Sequence, residues 1–207
     1  VDEEFLGMLT DPAREAIYMP TLVVRSGYVK MYESVLTGEP PPEVDDPNRC
    51  VDQDTLVKIS QSAESGQFGR FDRDRLDAYA GRAARAYEVM VGNLMAVHEA
   101  GGTIAMGSDA GNPLTVAGPS IYAEMEAMQA AGMPAMDVIV AATQNGARAM
   151  QRDSEIGTVE AGKIADLLVL GADPSQDVAN FRTLEAVVRG GRFHTQVSLQ
   201  RPERGVD

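Results

Sequence analysis

Few residues in this chain are suited to chemistry. Asp109 stands in Gly107-Ser-Asp-Ala-Gly-Asn-Pro, a run of small residues with Asn112 three positions on. Small neighbours leave room beside the carboxylate, which could accept a proton or bind a cation. The same stretch also reads as an ordinary turn closed by an Asx hydrogen bond, and the local sequence leaves both open. The two histidines are His98 and His194, and no His-x-His occurs. A catalytic zinc normally keeps three protein ligands, so Asp109 alone cannot hold one. Cys50 is the single cysteine, which excludes an intramolecular disulfide and a Cys-rich zinc module.

These residues need elements to position them. Glu3 to Thr10 reads as a short helix stopped by Asp11-Pro12, and Ile17 to Val24 as a buried strand. Pro20 is a mild objection to that strand, because it lacks a ladder donor. Residues 26–74 read as a long polar excursion, with loop chemistry in Glu39-Pro-Pro-Pro-Glu-Val-Asp-Asp-Pro and a helix over Val51 to Ser65. Such connections are usually lids, binding loops or disordered. Leu76, Ala80, Ala83, Tyr87, Val91, Leu94 and His98 trace one face of a long helix ending at Gly101-Gly102.

Thr103 to Met106 then forms a short strand, and the Asp109 loop follows it. Gly118-Pro119-Ser120 opens a helix with Ile121, Met125 and Met128 inward. Pro134 opens another, with Met136, Val140, Thr143, Ala147 and Met150 on one face. After residue 155 the period changes: Gly157-Thr-Val, Asp166 to Leu170, Leu184 to Val188 and Arg192 to Thr195 read as strands. Arg189-Gly-Gly-Arg192 has the composition of a hairpin turn. Alternating strand and helix followed by strands alone predicts an α/β unit with a small β module behind it.

With 207 residues, 44% hydrophobic and 24% charged, the chain can bury a sizeable core in one or two domains. Thirty-one acidic against 18 basic residues give a net charge of −13, spread without a run of five like charges. That balance argues against nucleic acid or an anionic membrane as the main partner. No stretch approaches the ~18 apolar residues of a membrane span. A single cysteine is compatible with a reducing compartment and slightly favours the cytoplasm; with Val rather than Met at position 1, localisation stays open.

Three segments carry a resemblance: Ala100 to Pro113, Ala141 to Met150, and Ile156 to Leu170. In this order and spacing they resemble the end of the amidohydrolase superfamily, particularly the branch of imidazolonepropionase-like enzymes and Xaa-Pro dipeptidases. The likeness is good over residues 90–194 and weaker over residues 1–24. It implies a (β/α)8 barrel flanked by a small β-sandwich. Residues 1–152 would be part of the barrel, with an insertion at about 26–74, and residues 153–207 part of the sandwich with a tail. Ile17–Val24 would be the seventh barrel strand and Thr103–Met106 the eighth.

The resemblance also implies roles. Asp109 would ligate a divalent metal, zinc by expectation and one or two ions, and accept a proton from the attacking water. Asn112 and Thr21 would contact a small-molecule amide substrate, a dipeptide or a cyclic amide. Many relatives carry a histidine where this chain has Ala117, which puts substrate contacts on that loop in doubt. The family's other ligands are a His-x-His on the first strand, often a lysine or glutamate on the fourth, and histidines on the fifth and sixth. Val1-Asp-Glu-Glu-Phe-Leu resembles the segment just after the sixth-strand histidine. The expectation is therefore a parent extending upstream by more than half a barrel, its missing N-terminal half supplying those ligands. This chain alone would be inactive.

His98 and His194 are expected to be structural or exposed, as are Asn145, Arg148, Lys163 and Asp166. A homo-oligomer is compatible with all of this, and so is pairing with a separately encoded N-terminal half. The competing class is a non-catalytic binding or assembly scaffold, against which the presence of Asp109 counts.

Overall fold

The computed structural model describes residues 1–61 and 72–200. The chain is α/β, with eight α-helices, one 3-10 helix (Val178–Thr183) and five strands among the described residues. Helix α1 (Glu3–Thr10) leads into β1 (Ile17–Tyr18), and α2 (Leu22–Thr37), α3 (Gln53–Ser60) and α4 (Arg73–Glu99) follow. Strand β2 (Thr103–Ile104) then pairs parallel with β1, Ile17 opposite Thr103 and Tyr18 opposite Ile104. Three of the helices start on an aspartate that accepts a backbone N–H of the first turn, at 2.9 Å each: Asp2 from Phe5, Asp52 from Thr55 and Asp72 from Arg75. Those contacts satisfy donors that a helix start leaves unpaired.

Helices α5 (Ser120–Ala130), α6 (Ala135–Ala142) and α7 (Gln144–Ala149) close over the two strands. The core joins Leu22, Leu94, Val97, Ile104, Met128 and Val138 with Tyr122, Met125 and Ala141. Asn145 donates its amide to the Ile104 carbonyl at 2.8 Å, and Met106 N–H donates to the Ala141 carbonyl at 3.0 Å. Thus α6 and α7 are fastened to the segment that leaves β2.

The last third forms an antiparallel sheet in the order β3 (Leu167–Leu170), β4 (Leu184–Arg189), β5 (Arg192–Thr195), with α8 (Gln196–Leu199) after it. Gly190 and Gly191 both take positive φ, 55° and 78°. Two such residues are what a type I′ hairpin turn demands. Asp166 accepts the Gly190 N–H at 2.6 Å and so pins the hairpin. No helix among the described residues is long and apolar enough to cross a membrane.

Several elements differ from the sequence expectation. The strand expected over Ile17–Val24 ends at Tyr18, and Leu22 begins a 16-residue helix. An apolar run of this length does not distinguish a buried strand from the start of a buried helix. The excursion expected from residue 26 is helical up to Thr37, with Val23, Gly27, Met31 and Ser34 buried at helical spacing. Of the helix expected over Val51–Ser65, residues 53–60 are helical, and residues 62–65 lie outside the described residues. No strand forms at Gly157–Val159: Gly157 has φ 94° and Val159 is 85% exposed. Ile121, Met136 and Met150 are exposed, and the helix faces turn inward on Tyr122 and Met125, and on Ala135, Val138 and Ala141.

One clasp joins the parts. Arg182 donates through Nε and Nη2 to the Glu126 carboxylate at 2.6 and 3.1 Å, and its Nη1 lies 2.6 Å from Asp45 Oδ2. Its guanidinium also sits over the Tyr122 ring, 5.2 Å from the centroid. The Glu126 hydrogen bonds, and then the contact with Asp45, hold Arg182 firmly charged. Arg182→Met keeps the stem and removes the fork. It should cost about 1.5–3 kcal/mol, the scale of hydrogen bonds to charged groups, read as a lower urea midpoint at unchanged slope.

Candidate functional site

Past β2 the chain turns away at Gly107, where a Cβ would lie 2.3 Å from Met19 Sδ. Asp109 follows in the left-handed region, φ 47°, with its side chain exposed. Asparagine and aspartate tolerate that conformation because their short polar side chains hydrogen-bond locally. Here the partner is Asn112, whose Nδ2 donates to Asp109 Oδ2 at 3.1 Å and to the Asp109 carbonyl at 2.9 Å. The loop is braced further on: Gly111 N–H donates to Thr115 O, Thr115 N–H donates to Asn112 O, and Ser120 Oγ accepts the Val116 N–H at 2.7 Å.

Helix α2 supports this loop from below. Tyr28 Oη donates to Asn112 Oδ1 at 3.4 Å, which orients the amide so that its NH₂ faces Asp109. Gly27 permits the approach, since a Cβ there would sit 2.2 Å from the Pro113 carbonyl oxygen. Neither residue is singled out by sequence, because each matters only through a partner some 85 positions away.

The start of α2 has its own anchor. Thr21 occupies the N-cap in the left-handed region, φ 48° and ψ 48°, and its side chain caps nothing. The cap comes from Glu124, which is 0% exposed. Its two oxygens accept the N–H groups of Leu22 and Val23 at 2.9 and 2.8 Å. Burial raises the Glu124 carboxyl despite those two donors. Burial first, and then the Glu124 charge, push the Tyr18 and Tyr87 hydroxyls up. A period-based signal did exist in the sequence. Glu124 lies four residues before the inward Met128, so the helix that buries Met128 also buries Glu124.

The sequence-derived residues are therefore only partly assembled. Asp109 and Asn112 are hydrogen-bonded to each other. Thr21 has no hydrogen bond to either among the described residues and stands at a helix start rather than a strand end. His98 lies 3.6 Å from Asp137 and ties α4 to α6.

The chain belongs to the amidohydrolase family, whose model matches residues 83–193. It is similar to the imidazolonepropionase of Phocaeicola vulgatus, 36% identical over 84 residues, which are 39% of this chain and 18% of that protein. Among solved structures it is similar to a Xaa-Pro dipeptidase with bound methionine in the active site. The TM-score is 0.62 and the identity 20%, over 94% of this chain and 38% of that one. Phenylurea hydrolase B is also similar, with TM-score 0.51 and 30% identity over 56% of this chain and 29% of that one. The chain thus spans less than two fifths of the length of each of these relatives.

The family is generally metal-dependent, but the residues here do not make a metal site. Among the described residues no three His, Cys, Asp or Glu side chains come together in a way that could hold an ion. Asp109 offers one carboxylate, where a catalytic zinc keeps three protein ligands.

Two glycines on neighbouring helices test the packing of α2 on the loop. Gly27→Ala should destabilise by about 1–3 kcal/mol through the clash with Pro113. At Gly92, exposed and with nothing within 4 Å of the added Cβ, the same change should stabilise by about 0.5–1 kcal/mol. Thermal melts of both variants decide. For Glu124 the sign follows from its raised carboxyl: the folded state holds the proton more tightly than the unfolded chain. The resulting stabilisation is complete below the ordinary value of 4.5 and is lost as pH rises through the raised one. Urea midpoints across that window should therefore show wild type losing stability relative to Glu124→Gln as pH increases.

Proposed function

We propose that this chain is the C-terminal part of a metal-dependent amidohydrolase that cleaves amide bonds of dipeptides or cyclic amides. In this reading residues 1–152 form the end of a (β/α)8 barrel, with β1 and β2 as its seventh and eighth strands. Residues 153–207 form part of a β-sandwich and tail. Three features support it: the parallel pairing of β1 with β2 across a long helical crossover, the family match, and the fold shared with the dipeptidase. Each of the two strands has a single hydrogen-bonded neighbour among the described residues. Parallel strands are ordinarily buried in larger sheets, which suits further strands on both sides.

The observation that carries the proposal is Asp109. It lies on the loop just past the C-terminal end of β2, the end where barrel enzymes keep their chemistry. It is exposed, and Asn112 fixes its carboxylate in one orientation. Asp109 would serve as one ligand of a divalent metal, zinc in the first instance, one or two ions in all, which would polarise the carbonyl and lower the pKa of the attacking water. It also takes the proton of the water that attacks the amide carbonyl. The remaining ligands come from outside this chain, so the chain by itself is inactive. In this reading Asn112 orients Asp109 and contacts the substrate, and Thr21 at the start of α2 is assigned a second substrate contact.

The test is turnover of a panel of dipeptides and cyclic amides by the full-length protein, with Asp109→Asn beside it. Loss of a positioned proton acceptor should lower kcat by roughly 10²–10⁴-fold. Unchanged kcat in a folded variant would remove Asp109 from the reaction.

A further inference from the structure

A cleft of about 670 Å³ borders the Asp109 loop, and nothing above gives it a role. Ala110 to Ala117 form one side of its lining. Cys50 to Asp52 together with α3 form another, and Met31 of α2 contributes as well. Small-molecule pockets fall at roughly 300–1,000 Å³, so a molecule of dipeptide size is accommodated. Carbon dominates the lining through Met31, Val51, Ile59, Pro113, Leu114 and Val116.

The polar groups that line it are largely engaged. The Asp52 carboxylate accepts from the backbone N and the Oγ1 of Thr55, at 2.9 and 2.8 Å. Thr115 Oγ1 donates to the Pro113 carbonyl at 3.3 Å. Among the described residues Lys58 is the cation of the lining, and it is exposed. A lysine so placed keeps its head in water and presents its stem. A charged ligand group would therefore lose its hydration here for little return, whereas an apolar group gains by covering these walls.

Asn112 connects the cleft to the chemistry. It belongs to the lining, and its Nδ2 donates to Asp109 Oδ2 at 3.1 Å. Ala110, the next residue after Asp109, lines the cleft too. An occupant is therefore held beside Asp109. We infer that this cleft receives an uncharged apolar side group of the substrate, aliphatic or aromatic, and sets the scissile amide on the Asp109 side. The inference rests on the hydrolase reading above and adds to it the selectivity for the substrate's side group. It also gives a task to the chain between α2 and α4, whose residues 50–59 supply one wall.

The probes are phenylalanine amide and glycine amide, titrated calorimetrically into the full-length protein and assayed for turnover in parallel. Wild type should bind phenylalanine amide on the order of 10–100-fold more tightly, the range an apolar pocket yields for a side group it encloses. Ala117→Trp fills the cleft from an exposed position, and Ile59→Asp places a charge on the opposite lining. Each should erase most of that ratio, and circular dichroism identifies the variants that fold, so that either one suffices. Selective binding lost in a folded variant supports the cleft even when neither amide is turned over, and in that case the dipeptide and cyclic-amide panel alone decides the hydrolase reading. Equal binding of the two amides by wild type, or a ratio unmoved in a folded variant, overturns the cleft assignment whether or not turnover is seen.

Discussion

The geometry beside β1 and β2 depends on a carboxylate buried in the middle of an apolar core. The chain leaving β1 turns through Thr21 and begins α2 at once, and the first N–H groups of that helix have no intrahelical partners. Glu124 accepts two of them from a residue more than 100 positions away. Desolvating a carboxylate works against this arrangement. Two backbone donors and the positive end of the helix offset part of that cost, and burial still leaves the carboxyl raised. Docking α2 in this way places Gly27 against Pro113 and Tyr28 against Asn112. The orientation of Asp109 thus follows from a contact at the N-terminal end of the same helix.

How much of this was legible in the sequence depended on the range of the interactions. Helices α1 and α4 and the Gly190-Gly191 hairpin were legible because caps, period and turn residues act locally. The Asp109 loop was legible because glycine, asparagine and proline around the aspartate interrupt regular structure locally. Helix α2 was hidden because its buried stripe includes Gly27 and Ser34, which carry no hydrophobic signal. They are buried for close approach and for a hydrogen bond from Ser34 Oγ to the Glu39 carbonyl. Glu124 was overlooked for the opposite reason. An acidic residue reads as solvated, and only the period of its neighbours placed it inside.

The chain divides its stabilisation between two kinds of contact. Around β1 and β2 the core is Leu, Met, Val and Ile packed between α4, α5 and α6. The three-stranded sheet exposes Leu167, Leu168, Val169 and Phe193, by 37 to 65%. It is fastened to the rest by the Arg182 clasp, by the Val178 N–H on Gln129 Oε1 at 2.8 Å, and by Val178 and Phe181, which pack into the core. Single apolar side chains at a surface need no explanation, but Leu167, Leu168 and Val169 make a continuous exposed run along β3.

The central claim is that Asp109 belongs to a metal site shared with segments outside this chain. Divalent-metal content of the full-length protein, measured by plasma mass spectrometry for wild type and Asp109→Ala, tests it most directly. The predicted result is a bound ion in wild type and reduced occupancy in the variant, with the fold retained. Equal occupancy in both proteins, or no bound metal in wild type, would contradict it.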